Sequence, residues 1–317
     1  MGYAKASYFD SNLIPVIDIT RLRDGTDPVG VAKSLHKASK DIGFIYIKGH
    51  GVSYETIASA RATALKFFRA RESDKLLVSV SGNHRGWLGP NRSKMRDNAK
   101  ADLKESFIWG SKDIGQEALA EHYVRGVNKW PVFLPEMQKP ALSYFNEASE
   151  VARHLLRGFA IGMGLDEEFF LQNISQPLSR ASYVYYPQQL ESMGEKQFGA
   201  GPHTDFGVLT VLCQDSVGGL QVKDLNGNWV YAPPIDGTLI VNVGDLLSRW
   251  TDGSYRSTPH RVINESGQER LSLVLAFDPN SETMIDARTI FGSNYRPKEK
   301  PISCGEYLTW RFNKAFS

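Results

Sequence analysis

The sequence predicts a mixed α and β fold, with a mainly helical N-terminal region packed on a β sandwich or barrel and a helix at the C-terminal end. Three observations carry that prediction. Helix caps and helix-spaced apolar residues dominate the early chain, including one stripe that runs from Pro135 to about Met163. After about residue 180 the texture changes to short β-rich runs separated by Gly, Pro, Asn and Asp, and a last helical stretch lies near Cys304 to Phe316. The expected parts are residues 1–178 and 179–317. No repeat, low-complexity tract or flexible linker divides them, so one composite domain is expected.

In chain order, Asp27-Pro28 signals a helix start, because Asp can accept from free first-turn amides and Pro suits the first turn. Ala32, Leu35 and Ser39 mark one face of that helix, and Gly43 stops it. Residues 44–48, Phe-Ile-Tyr-Ile-Lys, read as a strand, Gly49-His50-Gly51 as a turn, and Ser53 as the cap of a helix running towards Phe67 and Phe68. Residues 85–100 hold Arg85, Arg92, Lys94, Arg96 and Lys100 against one acid, Asp97, and are expected to form a solvated loop, with an anionic-substrate contact as the alternative. Ala141, Phe145, Ala148, Ala152, Leu155 and Phe159, spaced alternately four and three apart, predict a long helix that braces the barrel. Strands are expected at 182–186, 208–213, 220–222, 229–231, 238–243, 260–263 and 271–277.

Composition narrows the function classes. With 41% hydrophobic residues, the chain can bury a sizeable core. Thirty-seven Lys and Arg against thirty-five Asp and Glu leave a formal charge of +2, too small a field to hold nucleic acid or an anionic membrane. A small-molecule partner is expected instead. Cys213 and Cys304 are too few for a disulfide framework, and no apolar run approaches the roughly 20 residues needed to span a bilayer. Both points favour the reducing cytoplasm.

The residues with chemistry begin at His203-Thr204-Asp205. In extended backbone, side chains two positions apart leave the same face, so this imidazole and carboxylate can point at one ion. His260, at the start of a β-like run, offers a third ligand from another strand. Two neutral imidazoles and one carboxylate make the facial set associated with non-haem iron(II), which leaves open positions for substrate and oxygen. Alone, a His-x-Asp triplet is more often a surface turn. Further on, Arg270 and Ser272 share a face with Val274 and Ala276, while Leu271, Leu273, Leu275 and Phe277 occupy the other. The bulky face should pack against helices, which points Arg270 and Ser272 inward. A buried guanidinium needs an anion, either a carboxylate ligand that Arg can bind bidentately with help from the Ser hydroxyl, or a structural Asp.

These residues resemble the iron(II)/2-oxoglutarate-dependent dioxygenases, in the branch that includes isopenicillin N synthase and the plant flavonoid and gibberellin oxygenases. The resemblance extends over Ile14-Pro-Val-Ile-Asp18, Gly43-Phe44 through His50-Gly-Val52, Asp102-Leu-Lys-Glu-Ser-Phe107, Gly218-Gly-Leu-Gln-Val222, Val241-Asn-Val-Gly-Asp245 and Pro259-His-Arg-Val262. It implies a double-stranded β-helix, or jelly-roll, core. It also implies that His203, Asp205 and His260 hold Fe(II), and that Arg270 and Ser272 hold the distal carboxylate of 2-oxoglutarate. Tyr186, before Pro187, sits where a tyrosine often touches the co-substrate, although Val184 replaces the Asn common in plant members, which keeps Tyr185 as an alternative. The implied activity is oxidation of an unactivated C–H bond of a small molecule by O2, with release of succinate and CO2. Two other readings stand beside it: an iron oxidase that does not use 2-oxoglutarate, like isopenicillin N synthase or aminocyclopropane-carboxylate oxidase, and a non-catalytic jelly-roll binding protein. His36, His50, His84, His122 and His154 have no part in this scheme, although His84 to Trp87 could border a substrate pocket. Trp87, Arg92, Phe107 and Arg249 are candidate substrate contacts.

Overall fold

The structure is a computed structural model, and it describes residues 6, 13–81, 84–90, 102–111, 125–188, 198–264 and 266–316. The N-terminal part runs through β1 (Val16–Asp18), α1 (Thr20–Arg23), α2 (Pro28–Asp41), β2 (Phe44–Lys48), α3 (Tyr54–Phe68), α4 (Glu72–Leu76), β3 (Gly86–Leu88), β4 (Glu105–Trp109) and α5 (Gln138–Gly162). There follow β5 (Arg180–Tyr186), β6 (Ala200–His203), β7 (Leu209–Cys213), β8 (Leu220–Lys223), β9 (Trp229–Tyr231) and β10 (Leu239–Val243). The chain ends with α6 (Asp245–Trp250), β11 (His260–Val262), β12 (Arg270–Phe277), β13 (Met284–Ile285), α7 (Arg288–Phe291), β14 (Ile302–Ser303) and α8 (Cys304–Phe316).

Local chemistry starts the helices where the caps predict. The Asp27 side chain accepts from the Gly30 amide, and the Ser53 side chain accepts from the Thr56 amide. Gly43 ends α2 with φ +69, and a Cβ there would collide with the Arg256 carbonyl, so glycine is required. In α5 the stripe Ala141, Phe145, Ala148, Ala152, Leu155 and Phe159 is buried. Each large apolar side chain removed from water in this way contributes about 1.5–3 kcal/mol. The Tyr144 hydroxyl donates to the Leu273 carbonyl at 3.0 Å, fixing α5 on the outer face of β12.

Two sheets form the jelly roll. The major sheet has the order β1-β2-β10-β7-β12-β5-β4-β3 and the minor sheet the order β6-β11-β8-β9. Strands β1 and β2 extend one edge of the major sheet, and β4 and β3 extend the other. In β12, Leu271, Leu273, Leu275 and Phe277 join the main apolar core, while Arg270, Ser272, Val274 and Ala276 line a cavity between the sheets. No helix among the described residues is long and apolar enough to cross a membrane.

The structure corrects the expected loop at residues 85–100: Gly86–Leu88 is a strand, paired with β4. Residues 91–100, with Arg92, Lys94, Arg96, Asp97 and Lys100, lie outside the described residues. The strands β1, β4 and β6 are likewise additions to the sequence reading.

Candidate metal centre

Strand β6 ends at His203, whose Cα partner across the antiparallel pairing is His260, the first residue of β11. Asp205 lies two residues past the end of β6 and converges on the same point. Its Oδ1 lies 3.8 Å from His203 Nε2 and 3.7 Å from His260 Nε2. One ligand atom from each of the three lies within 4.8 Å of the others, a spacing that one ion can share.

Backbone carbonyls orient both rings. His203 Nδ1 is 2.6 Å from the Gly201 oxygen and His260 Nδ1 is 3.2 Å from the Thr258 oxygen. A carbonyl can only accept, so each Nδ1 carries a proton and Nε2 is the ring nitrogen left to face the centre. Asn242 Nδ2 donates to Asp205 Oδ2 at 2.8 Å and orients the carboxylate. Burial and the neighbouring His260 hold His203 down at about 3. Burial alone would raise Asp205, but His260, His203 and hydrogen bonds from Asn242 and Thr210 bring it to about 2. At neutral pH His203 is therefore neutral and Asp205 ionised, the protonation states that a cation requires of its ligands.

A cavity of about 220 Å³ joins this cluster to the inner face of β12. Arg270 is 1% exposed, and none of its three nitrogens has a partner; the buried Ser272 hydroxyl also has none. The structural Arg–Asp pair considered from sequence is thus absent among the described residues. Tyr186 is the cross-strand partner of Arg270, with the guanidinium 4.7 Å from its ring centre. Tyr185 faces the other way, stacks on Phe68 and donates to Glu269. The donor set fits both groups: two imidazoles and a carboxylate suit iron(II), and an unpaired buried guanidinium beside a free hydroxyl suits a carboxylate.

Several supporting residues lie in segments that the sequence reading quoted without giving them a role. Asp102 accepts from the Gly201 amide at 2.9 Å and pairs with Lys104 at 3.3 Å, which ties β6 to the approach to β4. Asp245 Oδ2 accepts from Thr204 Oγ1 at 3.2 Å and its amide donates to the Asp205 carbonyl at 2.7 Å, holding the turn between the ligands. The usable signal was Asn242 itself, the one polar residue in the run Leu-Ile-Val-Asn-Val.

Three proposed substrate contacts lie elsewhere. Trp87 is buried, with its indole N–H donating to Glu105; Phe107 is in the main core; Arg249 pairs with Glu299 in a separate recess. Aromatic bulk and positive charge in sequence do not specify the wall a side chain faces. Arg92 and His122 lie outside the described residues. His36 binds the Tyr255 hydroxyl and His50 accepts from the Val52 amide, both away from the metal cluster.

A jelly roll whose cavity holds two histidines, one aspartate and an inward arginine defines the mononuclear non-haem iron oxygenase class. Comparison with known proteins agrees. Residues 175–279 match the 2OG-Fe(II) oxygenase superfamily, and residues 14–132 match the family described as non-haem dioxygenase in morphine synthesis N-terminal. The chain is 35% identical over 276 residues to a probable iron/ascorbate oxidoreductase of Dictyostelium discoideum, covering 79% of this chain and 76% of that one. It is 32% identical to a homoarginine-6-hydroxylase of Glycine max, covering 95% and 96% of the two chains. A full-length Neurospora crassa protein, solved as a crystal structure in complex with alpha-KG, superimposes with a TM-score of 0.85 at 29% identity, covering 95% of this chain and 96% of that one. The chain belongs to the 2OG-Fe(II) oxygenase superfamily. It is an oxidoreductase that uses iron(II) and 2-oxoglutarate.

Proposed function

We propose that His203, Asp205 and His260 hold the iron, that Arg270 and Ser272 receive the distal carboxylate of 2-oxoglutarate, and that Tyr186 contacts the co-substrate. One observation carries this reading: Arg270 is a buried, unpartnered guanidinium in the cavity that the three ligands face. Leaving such a cation without an anion costs several kcal/mol, and a bound carboxylate removes that cost. When bound, the iron and 2-oxoglutarate would supply the oxidising chemistry, in which O2 oxidises a substrate C–H bond and 2-oxoglutarate becomes succinate and CO2.

The chain's own residues position and shield that chemistry. The Gly201 and Thr258 carbonyls keep the two Nε2 lone pairs aimed inward, Asn242 holds the carboxylate, and the Tyr186 ring covers the Arg270 guanidinium. Phe44 packs edge-on against His260, with ring centres 5.2 Å apart, and excludes water from that side. Residues 1–178 and 179–317 act as one composite unit, because the strands on either side of that division share the major sheet. The primary substrate is a small molecule rather than nucleic acid, in keeping with a cavity of about 220 Å³ between the sheets and the charge of +2. A reducing cytoplasm suits both ferrous iron and the two free, buried cysteines.

The test is anaerobic titration of the purified protein with iron(II) and then 2-oxoglutarate, followed by succinate release on admitting oxygen. One iron per chain and saturable 2-oxoglutarate binding that requires Arg270 are expected. Iron binding with no affinity for 2-oxoglutarate would defeat the co-substrate assignment.

A further inference from the structure

The cavity has a second end that the metal and co-substrate reading does not use. Along β12 and β5, Arg270 pairs with Tyr186 at one end and Ala276 pairs with Arg180 at the other. These ends are six residues apart (276 − 270), about 20 Å at ~3.3 Å per residue, too far for one small dicarboxylate to span. Arg180 belongs instead to the level of the metal cluster: Asn242, which holds Asp205, pairs across with Thr210, Thr210 with Ala276, and Ala276 with Arg180.

Arg180 is built to present donors there. Its Nη1 donates to Asp278 Oδ2 at 2.8 Å, the one hydrogen bond its guanidinium makes among the described residues, which leaves further N–H donors on a residue that lines the cavity. The guanidinium lies 4.8 Å from the centre of the Phe312 ring, which fixes its plane. Phe312 meets Phe206 edge-on with ring centres 5.8 Å apart, and Leu88 and Ile108 complete an apolar wall.

Charge decides what such a wall accepts. Asp278 balances Arg180, and Asp102 balances Lys104. With iron and 2-oxoglutarate in place, the metal and Arg270 together balance Asp205 and the two carboxylates of the co-substrate. Among the described residues that line the cavity, no charged group is left over to pair with a further ion, and burying one unpaired would cost several kcal/mol. Aromatic walls favour a flat body, and the spare guanidinium donors favour an acceptor.

We propose that the primary substrate sits at the Arg180 end, against Phe206, Phe312 and Ile108, and is a small, uncharged ring compound whose carbonyl-type acceptor is received by Arg180. The proposal rests on the iron and 2-oxoglutarate reading, so its test keeps the two separable. Iron(II) and 2-oxoglutarate affinities are measured first, and the anaerobic protein saturated with both is then titrated calorimetrically with benzamide, benzoate and benzylamine. These share one ring and differ as neutral acceptor, anion and cation. Benzamide is expected to bind at least about tenfold more tightly than the other two. Arg180→Lys keeps a cation against Asp278 but loses the fork, and it should weaken benzamide about tenfold while leaving iron and 2-oxoglutarate affinity unchanged. Phe312→Leu, which leaves Arg180 in place, should weaken benzamide severalfold as well. Tighter binding of benzoate or benzylamine, undetectable benzamide binding, or an Arg180→Lys protein that binds benzamide like the parent overturns the proposal while the oxygenase reading stands. Failure of iron or 2-oxoglutarate to bind overturns both.

Discussion

His203 and His260 are direct partners across β6 and β11, with ring centres 4.3 Å apart, and their Nε2 atoms converge on one oxygen of Asp205. Two strand ends therefore supply the two imidazoles, and the segment just after β6 supplies the carboxylate.

Removing either imidazole should remove the metal. His203→Ala and His260→Ala are each expected to lower iron(II) affinity by more than about 100-fold, and Asn242→Ala, which only releases the carboxylate, by about 10-fold. Iron content after anaerobic reconstitution and desalting checks this, and a His203→Ala protein that retains stoichiometric iron would contradict it.

Arg270→Met should weaken 2-oxoglutarate by about 100-fold, the loss of a charge-assisted bidentate contact, and leave iron affinity alone. The same change removes an unpaired buried cation, so the ligand-free variant should melt at the parent's temperature or higher. Calorimetric titration and a thermal scan read the two effects, and unchanged 2-oxoglutarate affinity would defeat the assignment.

Asp245 joins the C-terminal helix to the metal turn. Arg311 Nη1 lies 3.0 Å from its carboxylate, the Tyr307 hydroxyl 3.2 Å and the Ser257 hydroxyl 2.6 Å, on the residue that also accepts from Thr204. Asp245→Ala should cost about 2–4 kcal/mol, because Arg311 is left partly buried without its carboxylate. Urea unfolding measures the cost, and hydrogen exchange should quicken in α8 before the rest of the chain. A loss below about 0.5 kcal/mol would mean that the link carries little.

Burial first, then Arg180 and Arg85, push His84 from its ordinary 6.5 down to about 4. The folded value lies below the unfolded one, so the unfolded state takes up the proton first. The stability linked to His84 is complete above about pH 6.5 and is lost as pH falls towards 4. His84→Asn, which tolerates the positive φ of 52° at this position, should flatten the decline in melting temperature over that window. An identical decline in variant and parent would show that other groups dominate.

Much of the fold was legible because helix caps and side-chain periodicity are local. Asp27, Ser53 and the α5 stripe each announce their element within a turn or two, and β12 alternates cleanly enough to separate its two faces. Two of the strands that escaped, β3 and β6, are short and carry no alternation. β3 has three residues and β6 reads Ala-Gly-Pro-His, a composition that argues for a turn. They are strands because β4 and β11 lie alongside them, and pairing outweighs weak local preference.

By itself, the sequence determined the residue types of the site and, through the two-residue period of β12, that Arg270 and Ser272 share a face opposite the leucines. Only the tertiary structure decided that His260 stands opposite His203, that Tyr186 rather than Tyr185 faces Arg270, and that Arg180 and Phe312 meet at the far end of the cavity. The reason is register: a strand's own residues determine which side chains share a face, but hydrogen bonding to a distant partner decides which residue lies opposite, and a slip of one position would turn every side chain away.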